Sequence, residues 1–201
     1  MSSATYELHT YSGFEPSQAF DVVYGGHFEH RLLSPQRSNM EHQRLVLGDI
    51  RIETGCYDFP VVAQGAMPRD CTCIGLLAEG ADVTRCNIEF FDQDDIQVYS
   101  RGAELMYHAA AASRWINFTA PEALLQGAAM ERLGRPLELS VRGMVSFRLL
   151  RGQRAYLRQL AYDAFALARS LQPGNLAPAL AAEVARALVA AYVDALGSAQ
   201  L

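Results

Sequence analysis

The chain has 201 residues, 50% of them hydrophobic, and a formal net charge of −5 at pH 7. It is long enough to bury the core of one domain, and no apolar run reaches the roughly 18 residues that a membrane-spanning helix requires. The N-terminal segment MSSATYELHT has neither the basic start nor the apolar core of a secretion signal. These features predict a globular cytoplasmic protein without membrane attachment.

The charge is distributed unevenly along the chain. Residues 142–201 contain seven arginines and three acidic residues, a net charge of +4, so residues 1–141 carry −9. An acidic surface of this kind does not suit nucleic acid. All 17 basic residues are arginine, a bias that we attribute to a bacterial source with a GC-rich genome.

The central part of the chain, residues 47–121, consists of short apolar or alternating runs separated by Gly, Pro, Asp and Asn. Such runs are typical of strands in a compact antiparallel barrel or sandwich. Ahead of them we expect a loose N-terminus over residues 1–15 and a short helix over residues 16–24. Strands are predicted over residues 43–47, 49–56, 60–64, 71–77, 87–91, 96–99, 104–108 and 115–118.

The pattern changes to a helical one at Pro121. A helix is predicted over residues 121–133, followed by a short strand over residues 137–141. Two long helices are then predicted over residues 146–172 and 178–196, and the tight connection between them indicates an antiparallel helical hairpin. The expected fold class is therefore α+β, with residues 16–141 as a β-barrel and residues 142–201 as a helical unit.

Two side-chain stripes on these helices suggest contacts with partners. Four arginines at residues 148, 151, 154 and 158 are interpreted as a solvated helix face; the alternatives are contact with the acidic front of the chain or with DNA phosphates. The second helix repeats apolar residues every four positions, which favours packing against the barrel, against a second copy, or both. For a homodimer, the predicted interface residues are Leu180, Val184, Leu188 and Tyr192.

No pattern in the sequence argues for catalysis or for a metal. Of the five histidines only His108 lies on a predicted strand of the barrel, and the paired histidines and glutamate of a usual cupin metal site are missing from residues 47–121. Cys71 and Cys73 have neither redox nor zinc spacing, and the four cysteines are expected to be reduced core residues. We therefore predict no enzyme activity, no catalytic residues, no metal and no cofactor.

A binding site inside the barrel is the remaining interpretation. Four aromatic side chains could line its interior, and an arginine could pair with an anionic ligand. An aromatic acid, a fatty acid or a nucleotide would fit such a site equally well. The predicted ligand-binding residues are Tyr57, Phe59, Arg69, Tyr107 and Trp115.

The order of several short motifs resembles that of one known family. These motifs are residues 47–52 (LGDIRI), 65–71 (GAMPRDC), 74–75 (IG), 94–102 (DDIQVYSRG) and 115–125 (WINFTAPEALL). Together they resemble the N-terminal regulatory domain of AraC-type transcription regulators, in particular the branch that contains ethanolamine-operon regulators. The resemblance covers residues 16–200. It departs from the family at residues 85–87 (RCN), where many relatives have a glycine.

The resemblance implies a cupin-like double-stranded barrel, or jelly roll, that binds a small effector, followed by a helical pair that forms a homodimer. Family members continue into a helix-turn-helix DNA-binding domain, which we expect to be absent from this chain, so DNA would be contacted only through that missing domain. Two alternatives stay open: a free-standing cupin-like metal enzyme, and a module that only dimerises or binds protein and has a closed barrel.

Overall fold

The structure is a computed structural model that describes residues 4–12, 22–33, 39–80, 84–87, 89–90, 92, 94–139 and 142–200. Within these residues the chain is α+β. The strands are β1 (Ala4–Ser12), β2 (His27–Leu32), β3 (Asn39–Leu47), β4 (Ile50–Tyr57), β5 (Val61–Ala66), β6 (Thr72–Gly80), β7 (Thr84–Cys86), β8 (Glu89–Phe90), β9 (Asp95–Tyr99), β10 (Glu104–Ala109), β11 (Ser113–Ala120) and β12 (Met144–Arg148). The helices are α1 (Glu122–Leu133), α2 (Gln153–Ser170) and α3 (Pro178–Ser198).

The strands form two antiparallel sheets that pack face to face. The seven-stranded sheet has the order β1-β3-β4-β11-β6-β9-β12, and the five-stranded sheet has the order β2-β5-β10-β7-β8. In the described part of the chain no ladder joins one sheet to the other, so these strands do not close into a continuous barrel. Among the same residues, no helix combines the length and apolar character needed to cross a membrane.

The seven-stranded sheet is the middle layer of the molecule, and each of its faces has its own core. On one face, side chains such as Ile52, Ile74 and Phe118 pack with the helices. On the other face, Tyr57 and Trp115 pack with the five-stranded sheet. Because successive residues of a strand point to opposite faces, both cores are built from the same strands.

The loose N-terminus predicted over residues 1–15 is wrong for its described part, residues 4–12, because β1 pairs with β3 over its whole length. The antiparallel ladder runs from Ala4 opposite Leu47 to Ser12 opposite Asn39. Ala4 is buried in the core on the helix side, and the Tyr6 hydroxyl donates to Oε1 of Gln43 at 3.1 Å. The sequence of this segment is polar and contains serine, so it did not predict a strand. An edge strand can have such a sequence because it needs apolar residues on only one face.

The predicted helix over residues 16–24 lies mostly outside the described residues. Its last part, Val22 to Tyr24, forms a bend and a turn. Strand β2 follows and was not predicted; it places Phe28 and His30 inside the sandwich. A six-residue strand whose inward positions include a histidine has little apolar alternation to reveal it.

Seven of the eight strands predicted between residues 43 and 118 are confirmed, as β3, β4, β5, β6, β9, β10 and β11. In the eighth region, residues 87–91, the described strand is only β8, Glu89–Phe90. It pairs with β7, which was not predicted. This hairpin lies at the edge of the smaller sheet, where a strand of two or three residues leaves almost no periodic signal.

Helix α1 is confirmed and ends as the sequence indicates. Gly134 adopts the left-handed conformation and donates its N–H to the carbonyl of Met130, a common way to end a helix. The strand predicted over residues 137–141 is wrong for its described part, residues 137–139. There the side-chain amide of Gln126 takes the place of a strand partner, since it accepts from Leu137 N at 2.9 Å and donates to Leu137 O at 3.1 Å.

The helix predicted to begin at residue 146 begins at Gln153 instead. Residues of β12 pair with β9, and Val145, Phe147 and Leu149 pack into the helix-side core at every second position. Gly152 then adopts a positive φ of 87°, which separates this strand from α2. The C-terminal part of the chain therefore adds a strand to the large sheet, and it is not a purely helical unit.

Helix α3 packs against both the large sheet and α1. The ring of Tyr192 stacks on Phe118 of β11, with centroids 4.3 Å apart and an interplanar angle of 10°. Both side chains are 0% exposed. Burial raises the pKa of the Tyr192 hydroxyl, and this hydroxyl has no hydrogen-bond partner among the described residues.

Replacing Tyr192 by Phe tests this packing. We expect Tyr192→Phe to raise the free energy of unfolding by about 1 kcal/mol, because it removes a buried hydroxyl without removing the stacked ring. Tyr192→Ala is the control and should lower it by about 3–5 kcal/mol through loss of the ring. Urea unfolding measures both values, and a destabilised Phe variant would contradict the expectation.

Candidate functional site

A small cavity lies between the two sheets. The five-stranded sheet and its connections contribute Phe28 and Leu105, the seven-stranded sheet contributes Gly75 and Trp115, and Val22 closes it from the segment before β2. The volume is about 50 Å³. At roughly 10–15 Å³ for one water molecule, this is room for about four waters.

Aromatic side chains form much of the cavity wall, and their hydroxyl groups are already bonded. The Tyr107 hydroxyl donates to Oγ of Ser113 at 2.7 Å, and the Tyr57 hydroxyl lies 2.9 Å from Nε2 of His30. Trp115 lies flat over Gly55, where a Cβ atom would come within 2.3 Å of the indole ring. Glycine is therefore required at this position for the tryptophan to line the cavity.

The structure brings together three of the five predicted ligand-binding residues: Tyr57, Tyr107 and Trp115 line the cavity. Phe59 belongs to the same core and packs edge-on against Tyr57, with centroids 5.5 Å apart, but does not reach the cavity. Arg69 is exposed and lies near Gly102, where a Cβ atom would be 3.5 Å from Cγ of Arg69. It is not part of the cavity wall.

Four ionisable groups in or beside the cavity are held in their neutral forms. Burial raises the pKa of Tyr57 and of Tyr99, and it raises the pKa of the Cys86 thiol to about 12. Burial also lowers the pKa of His30, next to Tyr57, to about 4. At neutral pH these groups contribute no formal charge to the cavity.

Asn117 is a polar residue of the cavity that was not predicted. It lies on β11, is 9% exposed, and its side-chain amide has no hydrogen-bond partner among the described residues. Gly75 is its neighbour on β6, and a Cβ atom there would meet Oδ1 of Asn117 at 2.9 Å. The alternation within the predicted strand over residues 115–118 places Asn117 on the same face as Trp115, and this signal could have identified it.

Asn117 belongs to a row of residues that crosses the inner face of the large sheet. Each member lies directly opposite the next on the neighbouring strand, and all but the central glycine are polar. The row consists of Glu7, Arg44, Glu53, Asn117, Gly75, Gln97 and Ser146. One line of the interior thus contains six polar side chains and one glycine.

A buried ion pair occupies one half of this row. Nε of Arg44 donates to Oε1 of Glu53 at 2.7 Å, and the two side chains are 6% and 0% exposed. The backbone N–H of Tyr24 donates to the same carboxylate, and Nε2 of His42 donates to the carbonyl of Val22 at 3.0 Å. These bonds hold the segment before β2 against the sheet, and this segment closes the cavity.

The predicted arginine stripe has a structural role in this chain. Arg154 donates to the carbonyls of Leu77 and Ala78, each at 3.0 Å, and Arg158 donates to the second of these at 3.4 Å. Arg148 lies on β12 and pairs with Asp92 and Asp95. The alternative in which the stripe meets the front half of the chain describes these contacts best.

The residues predicted for a dimer interface face the interior to different degrees. Leu188 and Tyr192 are both 0% exposed in the chain's own core, so they have no free surface for a second copy. Leu180 and Val184 are half-buried and pack against the same core. The four-residue repeat therefore marks the side of α3 that covers the sheet.

A different side of α3 borders an open groove. The groove runs between α1 and α3 beside the turn that joins β3 and β4, and its volume is about 660 Å³. Alanine and glycine make up about half of its lining, and we call these residues, which include Gly127, Ala182 and Ala185, its floor. At its far end Arg132 of α1 pairs with Asp194 of α3.

Among the described residues, no group of three or more His, Cys, Asp or Glu side chains is placed to hold a metal ion. All four cysteines are free thiols. Cys71 and Cys73 are both buried, and burial, as the largest cause, raises the pKa of the Cys71 thiol to about 12. These thiols are poor ligands and nucleophiles in this state.

Comparison with known proteins identifies a structural relative. The AraC-like transcriptional activator CuxR matches with a TM-score of 0.59 and 12% sequence identity, over 96% of this chain and 70% of CuxR. At this identity the match shows that the two proteins share a fold. No family model matches the sequence, and no curated protein matches it.

Two further solved structures are similar over part of the chain. AerE from Microcystis aeruginosa matches with a TM-score of 0.37 and 8% identity, over 61% of this chain and 53% of AerE. The protein Ylba from E. coli matches with a TM-score of 0.31 and 10% identity, over 71% of this chain and 52% of Ylba. Similarity at this level carries no argument about function.

The buried ion pair gives the first prediction for this site. We expect Glu53→Gln to lower the free energy of unfolding by about 3–5 kcal/mol, because Arg44 then keeps a buried charge without its buried counter-charge. Glu7→Gln is the matched control: Glu7 also pairs with Arg44, at 3.5 Å, but its side chain is 47% exposed. Glu7→Gln should lower the free energy of unfolding by less than about 1 kcal/mol. Chemical unfolding measures both variants, and an equal decrease in the free energy of unfolding for Glu53→Gln and Glu7→Gln would contradict this explanation.

His30 gives a prediction for pH. Its pKa is about 4 in the folded protein against 6.5 for an unperturbed histidine, so the unfolded chain binds the proton first as the pH falls. The stability that the folded protein has with a neutral His30 is complete above pH 6.5. It is lost as the pH falls towards 4, because protonation of His30 then favours the unfolded chain. Between pH 7 and pH 4.5 the loss is about 2 kcal/mol. Unfolding of His30→Gln should show a pH dependence smaller by about that amount, and an unchanged dependence would contradict the assignment.

Proposed function

We propose that this chain is the ligand-sensing and dimerisation domain of a bacterial, cytoplasmic transcription regulator of the AraC type. The single observation that carries the proposal is the fold shared with CuxR over 96% of this chain. The motif order in the sequence supports it independently. The finer assignment to an ethanolamine-regulator-like branch, and the description of the two sheets as a cupin-like barrel, rest on that sequence resemblance.

The cavity between the sheets supports the sensing part of the proposal. It combines aromatic walls with an unpartnered amide, Asn117, and such a combination is typical of small-molecule sites. The strand that carries Asn117 also carries Phe118, which stacks on α3. A ligand that favours one position of β11 would thereby favour one position of α3, and this difference in affinity is what a sensor requires.

The groove between α1 and α3 is our candidate for the dimer interface. Its rims carry charges of opposite sign, Glu131 on α1 and Arg186 on α3, and neither has an ion-pair partner in the described part of the chain. In a two-fold symmetric dimer the same surface of each copy meets the other. Glu131 of one copy can then face Arg186 of the second, while the alanine floor allows close packing of helices.

One experiment tests the dimerisation part of this function. We would fuse the chain to a DNA-binding domain that binds its operator only as a dimer, and measure operator binding and sedimentation. The unmodified chain should support binding as a dimer. Ala182→Glu, which places a charge on the groove floor, should weaken dimerisation at least tenfold, or by about 1.4 kcal/mol.

The matched control is Ala179→Glu, on an exposed position of α3 that does not border the groove. This variant should dimerise like the unmodified chain. Monomers at all protein concentrations would contradict dimerisation. Equal weakening by both variants would contradict the groove as the interface.

The small size of the cavity favours one second candidate, a module that dimerises without binding a ligand. A volume of about 50 Å³ lies well below the 150 Å³ of an engineered cavity that binds benzene. This candidate differs from the sensor in one measurable respect. The melting temperature of a sensor should rise when its ligand is added. The melting temperature of a closed module should stay unchanged with every compound of a metabolite panel.

A further inference from the structure

The cavity contains a polar group that the rest of the protein does not use. Asn117 is 9% exposed as a whole residue, and its side-chain amide borders the cavity and has no hydrogen-bond partner among the described residues. An amide has two donors and one carbonyl acceptor. Leaving such a group unpaired in the interior costs free energy, so the molecule that occupies the cavity, whether water or a ligand, gains by bonding to it.

A side chain at the position opposite Asn117 would displace its amide. Gly75 lies opposite it on β6, where a Cβ atom would be 2.9 Å from Oδ1 of Asn117 and 3.1 Å from the ring of Tyr99. The next residue in the row, Gln97, is 1% exposed and has an unpartnered carbonyl oxygen, but it does not border the cavity. Asn117 is thus the amide that a molecule in the cavity would reach.

The cavity is also unsuited to a charged molecule. Among the wall residues that the structure describes there is no Arg, Asp, Glu or His, and burial keeps Tyr57, Tyr99 and the Cys86 thiol neutral at pH 7. The carboxylate of Glu53, in the same row, is already bonded to Arg44. An anion that entered would lose its hydration and find no cation in the wall, which is strongly unfavourable.

We propose that the cavity binds a compact, electrically neutral molecule with an amide, carbonyl or hydroxyl group, and that Asn117 recognises this group. The inference rests on the proposed sensing function and specifies the class of its ligand. It replaces the anionic ligand expected from the sequence, because Arg69 lies outside the cavity wall. The volume of about 50 Å³ restricts the ligand to a few non-hydrogen atoms unless the wall moves.

Propionamide and propionate are suitable probes, since they have the same shape and differ in charge at pH 7. Each is titrated into the 201-residue chain at constant ionic strength, and the side-chain resonances of Asn117 and Trp115 are followed by proton–nitrogen correlation NMR. Propionamide should shift both sets of resonances in a saturable way, with a dissociation constant at least about tenfold lower than that of propionate. Equal binding of the two probes, or no binding of propionamide, would overturn the proposal.

Two variants separate recognition by Asn117 from a general effect of a buried amide. Asn117→Leu should abolish the response of Trp115 to propionamide, and the melting temperature of the free protein should stay the same or rise. Gln97→Leu removes the neighbouring amide, which does not border the cavity, and should keep the response. Should Asn117→Leu not fold, the comparison of the two probes on the unmodified chain still decides the charge preference.

These results are distinguishable from a failure of the proposed function. Propionamide binding without any effect on dimerisation or on operator binding by the fusion would support the neutral site and contradict a sensing role. An effect of propionate on dimerisation, with saturable binding at the cavity, would support sensing and overturn the neutral site.

Discussion

The register of the seven-stranded sheet is the constraint on which the rest of the structure depends. One row of its inner face is polar and runs from Glu7 to Ser146. The adjacent row on the outer face is apolar apart from the tyrosine hydroxyl at its start, and consists of Tyr6, Leu45, Ile52, Phe118, Ile74, Val98 and Val145. A shift of one residue in any strand would exchange the two rows, and would place a charge or an amide against the helices.

The buried ion pair and the cavity are two consequences of the same polar row. At one end, Arg44 and Glu53 satisfy each other and hold the segment that contains Val22. Farther along the row, Gly75 has no side chain, and Asn117 and the ring of Tyr99, which both line the cavity, pack where its Cβ atom would be. Polar groups between two sheets cost free energy unless they are satisfied. The row meets this requirement with an ion pair at one position and with a glycine at another.

The sequence predicted those parts of the fold in which local pattern and final environment agree. The central strands alternate clearly, and α1 has a proline at its start and a glycine at its end. The errors lie in edge strands: β1 and β2 have mixed polarity, and β12 was interpreted as the start of a helix because Val145, Phe147 and Leu149 precede a long helical pattern. Edge strands pair on one side only, so their sequences carry a weaker signal.

The candidate site was predicted in part for a similar reason. Tyr57, Tyr107 and Trp115 are large aromatic residues on recognisable strands, and large aromatic residues are generally buried. Asn117 was missed because a single asparagine has no pattern of its own, and its importance depends on the glycine opposite it on another strand. Leu188 and Tyr192 were assigned to an interface because periodicity shows which side of a helix is apolar, but not which surface covers that side.

The position of β11 gives the protein a direct connection between its two cores. Asn117 borders the cavity on one side of this strand, and Phe118 stacks on Tyr192 of α3 on the other. The two residues share a peptide unit, so a displacement of the strand at the cavity is also a displacement at the helix. In the proposed sensor, a change at the cavity would therefore reach α3 through the thickness of a single strand, without a hinge and without relative motion of separate lobes.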